Sequence, residues 1–79
     1  MEIKVLGPGC KNCVTLERTT REAVAELGLD AEIEKVTDYA AIASWGILRT
    51  PGLVVNGVVV VSGRVPKKDE VKALIRQSA

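Results

Sequence analysis

The sequence predicts an α/β fold: a four-stranded mixed sheet flanked by helices, in the order β-α-β-α-β-β-α. Three observations predict it. A short, mostly apolar run, Ile3-Lys4-Val5-Leu6, is followed, after a glycine-proline break, by a long segment with helical periodicity. A second run then alternates apolar and acidic residues. Two valine-rich runs separated by Asn56-Gly57 lead into a last amphipathic segment.

Residues 2–6 form the first strand, and Gly7-Pro8-Gly9 breaks it. From residue 12 to residue 27, apolar or small side chains fall at Cys13, Leu16, Thr20, Ala23, Val24 and Leu27. Steps of three and four make one helical stripe. Glu17 and Arg21 are an attractive i,i+4 pair on the outer face, and Glu22 and Glu26 a mildly repulsive one. Gly28 suits the left-handed position that ends a helix, and Leu29 the apolar contact that often follows. Residues 30–36 form the second strand. Ala31 and Ile33 alternate with Glu32 and Glu34, and the charges mark an edge strand. Thr37 or Asp38 caps a short helix over 39–45, ended by Gly46. The third strand is 52–55, Asn56-Gly57 is a type I′ hairpin signal, and the fourth strand is 58–62. The last helix spans about 67–77, with Pro66 near its start and Asp69 and Glu70 in its first turn. Val71, Leu74 and Ile75 form its apolar face. Strands one and two, joined by a helix, should run parallel with a right-handed crossover. Helices on both faces should bury the valine-rich strands on two sides.

Seventy-nine residues allow one domain, over 1–79, that buries only about 60–65% of its unfolded surface. With 47% hydrophobic residues, the core comes from packed elements. Eleven basic and ten acidic residues give a net charge of +1, which predicts no nucleic-acid surface. No basic segment precedes an apolar one in the manner of a secretory signal. The run Val58-Val59-Val60-Val61 is far shorter than the roughly 18 residues that span a bilayer. A monomer in the reducing cytoplasm, away from membranes, is the expected setting.

Both cysteines lie in Gly7-Pro8-Gly9-Cys10-Lys11-Asn12-Cys13, at a strand-to-helix junction. Cys-x-x-Cys in that context reads as a dithiol redox site. The first sulfur sits at a helix N-terminus, where free N–H groups and the helix dipole favour a thiolate. The second lies one turn on and can attack a mixed disulfide. A bond between them closes a very short loop and stabilises little, which argues against a structural role. Lys11 adds a cation beside Cys10; it is a candidate for tuning that thiol and equally reads as a solvated loop charge. The chain has no histidine, which removes Cys/His zinc sites and a histidine general base for hydrolysis. The exchange cycle needs no bound cofactor. Two rivals stand beside it: a soft-metal carrier for Cu(I) or a similar ion, using both thiolates, and an interaction module without turnover.

Three stretches carry a family resemblance: the cysteine motif, then Thr50-Pro51-Gly52-Leu53-Val54-Val55-Asn56-Gly57, then Ser62-Gly63-Arg64-Val65-Pro66. With the spacing between them they cover essentially the whole chain. It resembles the small thioredoxin-like redox-disulfide proteins of bacteria and archaea, glutaredoxin-sized members of the thioredoxin family. The resemblance implies a single thioredoxin-like domain and thiol–disulfide oxidoreductase activity. It implies that Cys10 attacks and that Cys13, more buried, resolves. Pro51 would match the family's cis-proline facing the disulfide, and Thr50 would offer backbone groups to an extended substrate segment. Some features depart from the family pattern. Lys-Asn stands between the cysteines in place of Gly-Pro or Pro-Tyr, and no tryptophan precedes the motif. Gly63-Arg64-Val65-Pro66-Lys67 lacks the Gly-Gly and following pair with which glutaredoxins hold glutathione. The implied partners are therefore protein disulfides and a reductase or other thiol donor, with glutathione disfavoured. Heavy-metal-associated domains also carry Gly-x-Cys-x-x-Cys, but in a β-α-β-β-α-β order. Trp45 reads as a half-buried core residue beneath the Thr50-Pro51 loop, and Arg49, Arg64, Lys67 and Lys68 as solvated.

Overall fold

Strand β1 (Glu2–Leu6) is the axis of the sheet. In the computed structural model, which describes residues 1–78, it pairs in parallel with β2 (Glu32–Val36) and antiparallel with β3 (Gly52–Val55). Strand β4 (Val58–Ser62) pairs antiparallel with β3, and the strand order is β2-β1-β3-β4. Helices α1 (Lys11–Leu27), α2 (Tyr39–Ser44) and α3 (Lys68–Ser78) complete the expected order.

Helix α1 buries Cys13, Leu16, Thr20, Ala23 and Val24, and its outward face is charged. Among the described residues Thr20 is the one buried polar residue, and its hydroxyl donates to the Leu16 carbonyl at 2.8 Å, so that donor is not stranded. At the end of α1, Gly28 takes φ 66°, its N–H reaches the Ala25 carbonyl, and the Leu29 N–H reaches that of Val24. Those bonds satisfy carbonyls the helix leaves open. Leu29 itself stays exposed rather than closing an apolar contact. In α3, Val71 and Ile75 are fully buried and Leu74 partly so. With β-strand residues such as Ile3, Val5, Leu53 and Val55, these side chains form the larger core, between α1, α3 and one face of the sheet. The other face carries a smaller cluster of Leu6, Ile42 and Val54, flanked by Val36, Trp45, Ile47 and Val59.

Two expectations about the strands need correction. Strand β2 begins at Glu32 rather than residue 30, because its pairing with β1 begins at Glu2. Strand β4 is not buried on both sides: Val61 is, but Val58 is 60% exposed and Val59 and Val60 are intermediate. It is an edge strand, and a bulge opposite Leu53 and Val54 leaves Val60 without a partner in the ladder. The Asn56-Gly57 turn has φ of 50° and 82°, as a type I′ turn requires. The predicted Glu17–Arg21 pair is formed, whereas Glu26 turns from Glu22 to Lys68 and Lys72 of α3. These two lysines, and Lys68 first, hold the Glu26 carboxyl below its ordinary value.

The register brings the functional segments to one end. The C-termini of the parallel strands β1 and β2, the start of β3 and the end of β4 lie side by side, at Leu6, Val36, Gly52 and Ser62. The loops that leave them carry the cysteine motif, Thr37-Asp38, Thr50-Pro51 and Gly63-Arg64. Among the described residues, no helix is long and apolar enough to cross a membrane.

Candidate functional site: a disulfide at a helix N-terminus

Helix α1 starts at Lys11, one residue earlier than its periodicity suggests, because Cys10 is itself the cap. Its backbone is extended (φ −66°, ψ 167°), and its Sγ accepts the Cys13 N–H at 3.2 Å. The Cys10 carbonyl accepts the Val14 N–H at 3.0 Å. A sulfur thus stands where a serine or aspartate oxygen would otherwise satisfy an open helix donor. Cys10 and Cys13 are joined by a disulfide, with their Cα atoms 5.0 Å apart. The two sulfurs differ in surroundings: Cys10 is exposed, whereas Cys13 is 5% exposed. Lys11 is exposed, and the first turn of α1 contains no acidic residue to offset its charge.

Gly7 is a site residue that reading the chain as a loop-breaker missed. A Cβ there would lie 2.3 Å from Cys13 Sγ and 3.0 Å from Cys13 Cβ. Real atoms do not approach so closely, so the backbone at position 7 must be bare for the sulfur to reach its partner. The same Cβ would be 3.9 Å from the Pro51 Cα, so Gly7 stands between the buried cysteine and the proline. Its N–H is fixed by the Val36 carbonyl at 2.9 Å. The Thr50–Pro51 peptide bond is cis, Pro51 is fully buried, and Thr50 is exposed. The Pro51 carbonyl accepts the Gly63 N–H at 2.8 Å, which ties this loop to the end of β4. A glycine followed by proline announces a turn; nothing local announces that the sulfur of Cys13 fills the place of the missing side chain.

Beside Cys13 lies a cavity of about 40 Å³, bordered by Gly7, Gly9, Val14, Glu17, Lys35 and Thr37 among others. The Glu17 side chain is only 18% exposed; one oxygen accepts from Arg21 Nε at 3.0 Å and the other lies 3.7 Å from Lys35 Nζ. Sequence spacing reveals the Arg21 partner, one turn away, but not Lys35 from a neighbouring strand. On the other side, Trp45, Ile47, Leu48, Arg49, Val59 and Ser62 line an open groove of about 440 Å³. Trp45 is half-buried against the smaller core, and Arg49 is exposed. Among the described residues, no group of three or more cysteine, histidine, aspartate or glutamate side chains could hold a metal ion.

The thioredoxin domain family model matches residues 1–76. A thioredoxin of Methanothermobacter thermautotrophicus is 45% identical over 75 residues, covering 95% of this chain and 97% of the relative. A thioredoxin of Methanocaldococcus jannaschii is 43% identical over 70 residues, covering 89% of this chain and 80% of the relative. With its four-stranded mixed sheet, three helices and Cys10–Cys13 disulfide, this chain belongs to the thioredoxin family and is a small thiol–disulfide oxidoreductase.

Proposed function

We propose that Cys10 is the attacking sulfur and Cys13 the resolving one, in a carrier that exchanges its dithiol with disulfides of other proteins. The asymmetry of the two sulfurs carries this reading: Cys10 is exposed and caps α1, and Cys13 is buried behind it. In the dithiol form, the open N–H groups and dipole at the start of α1 favour a Cys10 thiolate, and the adjacent Lys11 cation acts in the same sense. That thiolate attacks one sulfur of the substrate disulfide. A Cys10–substrate bond forms, and the substrate's other sulfur leaves as a thiolate and takes a proton from solvent. Cys13 then loses its proton and attacks Cys10 Sγ. The Cys10–Cys13 bond forms and the second substrate sulfur leaves, so two electrons have passed from the dithiol to the substrate.

In this reading Pro51, fully buried on the far side of Gly7 from Cys13, walls the disulfide, and Thr50, an exposed residue, offers its backbone groups to an extended substrate segment. A reductase or another thiol donor returns the electrons, in a reducing compartment such as the cytoplasm, and the protein works as a monomer. The element order, which ends in a helix after the hairpin, favours exchange over the soft-metal carrier. The test is a trap. Reduced Cys13→Ser, mixed with an oxidised protein substrate such as insulin, should accumulate a mixed disulfide through Cys10; Cys10→Ser should accumulate none. The reverse pattern would exchange the two roles.

A further inference from the structure

The end of the sheet that bears the sulfurs is made by residues 7–14, 37–39, 45–51 and 62–64. Three of the exposed large apolar side chains belong to these segments: Leu48 at 100%, Tyr39 at 74% and Val14 at 54%. Leu48 stands at the groove formed with Trp45, Ile47 and Val59, and that groove also takes in Arg49, the residue before Thr50-Pro51, and Ser62, at the end of β4. Charge at this end is one-sided. The four segments carry Lys11, Arg49 and Arg64 against a single acid, Asp38. Asp38 is committed, since its carboxylate accepts the Ala41 N–H at 2.9 Å as the cap of α2. Arg64 is committed too, held by both oxygens of Glu70, which lowers the Glu70 carboxyl and raises the guanidinium. Lys11 and Arg49 have no ion-pair partner among the described residues.

Arg49 is nonetheless held in place. A Cβ on Gly63 would fall 3.0 Å from Arg49 Cβ and 3.4 Å from its Cδ, so the arginine stem lies along the bare Gly63 backbone. Gly63 is itself tied to the Pro51 carbonyl. The stem is thereby fixed to the proline loop while the guanidinium charge stays unspent.

From this we infer that the groove docks a segment of the protein substrate that sets an apolar side chain against Trp45, Ile47 and Leu48 and an aspartate or glutamate against Arg49. The inference rests on the exchange reading above and adds which proteins are exchanged with: those whose disulfide is flanked by an apolar and then an acidic residue. The apolar contact supplies buried area. The guanidinium fork supplies orientation, because it meets a carboxylate through two parallel bonds, as Arg64 meets Glu70. Opposite charge also speeds encounter.

The experiment uses two synthetic peptides of equal length, each closed by one disulfide, with leucine beside one cysteine and either glutamate or lysine beyond it. At low salt, the glutamate peptide should be reduced with a kcat/KM about two- to fivefold higher, the scale of one exposed ion pair. The advantage should shrink in about 0.5 M salt, where screening reaches only a few ångströms. Arg49→Glu should reverse the preference and Arg49→Lys should keep it at a lower ratio. Arg76→Glu makes the same charge change in the last turn of α3, at the opposite end, and should leave the ratio alone. Equal rates for the two peptides, or an Arg76→Glu effect as large as that of Arg49→Glu, would overturn the docking site. Faster reduction of glutathione disulfide than of the glutamate peptide would overturn the choice of a protein segment. Failure to reduce even a small uncharged disulfide would strike the exchange reading itself, and the docking site with it.

Discussion

The two faces of the sheet are built to different standards. Among the described residues, ten buried side chains form the core under α1 and α3, closed outside by Glu26 bridging to Lys68 and Lys72. Under α2 lie three, beneath a six-residue helix and the irregular chain that follows it. The cysteines belong to α1, on the heavy side, whereas Arg49 and the open groove belong to the light side. The difference teaches where rigidity is needed. A sulfur that must meet its partner in one geometry is set on a long, well-anchored helix. The surface that receives a substrate is made of loop with little buried beneath it, where adjustment costs little.

Substitutions should separate the two faces. The largest effect is expected at Leu16, fully buried in α1: Leu16→Ala should lower unfolding free energy by about 3–5 kcal/mol in a urea titration. Ile42→Ala, in the small cluster, should cost about 2 kcal/mol, because a three-residue cluster at the edge can close over the gap. Equal costs would erase the contrast between the faces. Gly7→Ala sits at the seam. The new methyl meets Cys13 Sγ and displaces it, so exchange should slow by about a hundredfold in stopped-flow kinetics. The loss should exceed anything its melting temperature explains, and unaltered kinetics would refute the close approach.

The smallest effect concerns the clamp between α1 and α3. The Glu26 carboxyl is lower in the folded protein than its ordinary value of 4.5. The clamp therefore stabilises fully above that value and is lost as pH falls through the lowered folded one. Melting temperatures of wild type and Glu26→Gln should differ slightly at neutral pH and converge below about 4.5. A gap that widens in acid would contradict this direction.

How much of this was legible depends on the range of each interaction. The α1 stripe could be read because Leu16, Thr20, Ala23 and Val24 follow a local period that burial respects. The disulfide could be read because its cysteines are three residues apart and share one turn. The hairpin could be read because Asn56-Gly57 carries its own backbone preference. The exposed side of β4 could not: four valines in a row look the same in an edge strand as in a central one. Gly7 against Cys13, Arg49 against Gly63 and Glu17 against Lys35 each join different elements, and no local pattern encodes such a meeting. They were missed for the same reason, although each borders the sulfurs or the groove beside them.

The central claim is that Cys10, seated at the start of α1, is the reactive sulfur. Alkylation of the fully reduced protein by iodoacetamide across a pH series, with the modified cysteine identified by mass spectrometry, tests it most directly. The account predicts that Cys10 is modified first, with a midpoint well below the ordinary thiol value of about 8.5, and that Cys13 stays protected. Modification of Cys13 first, or a Cys10 midpoint at the ordinary value, would contradict it.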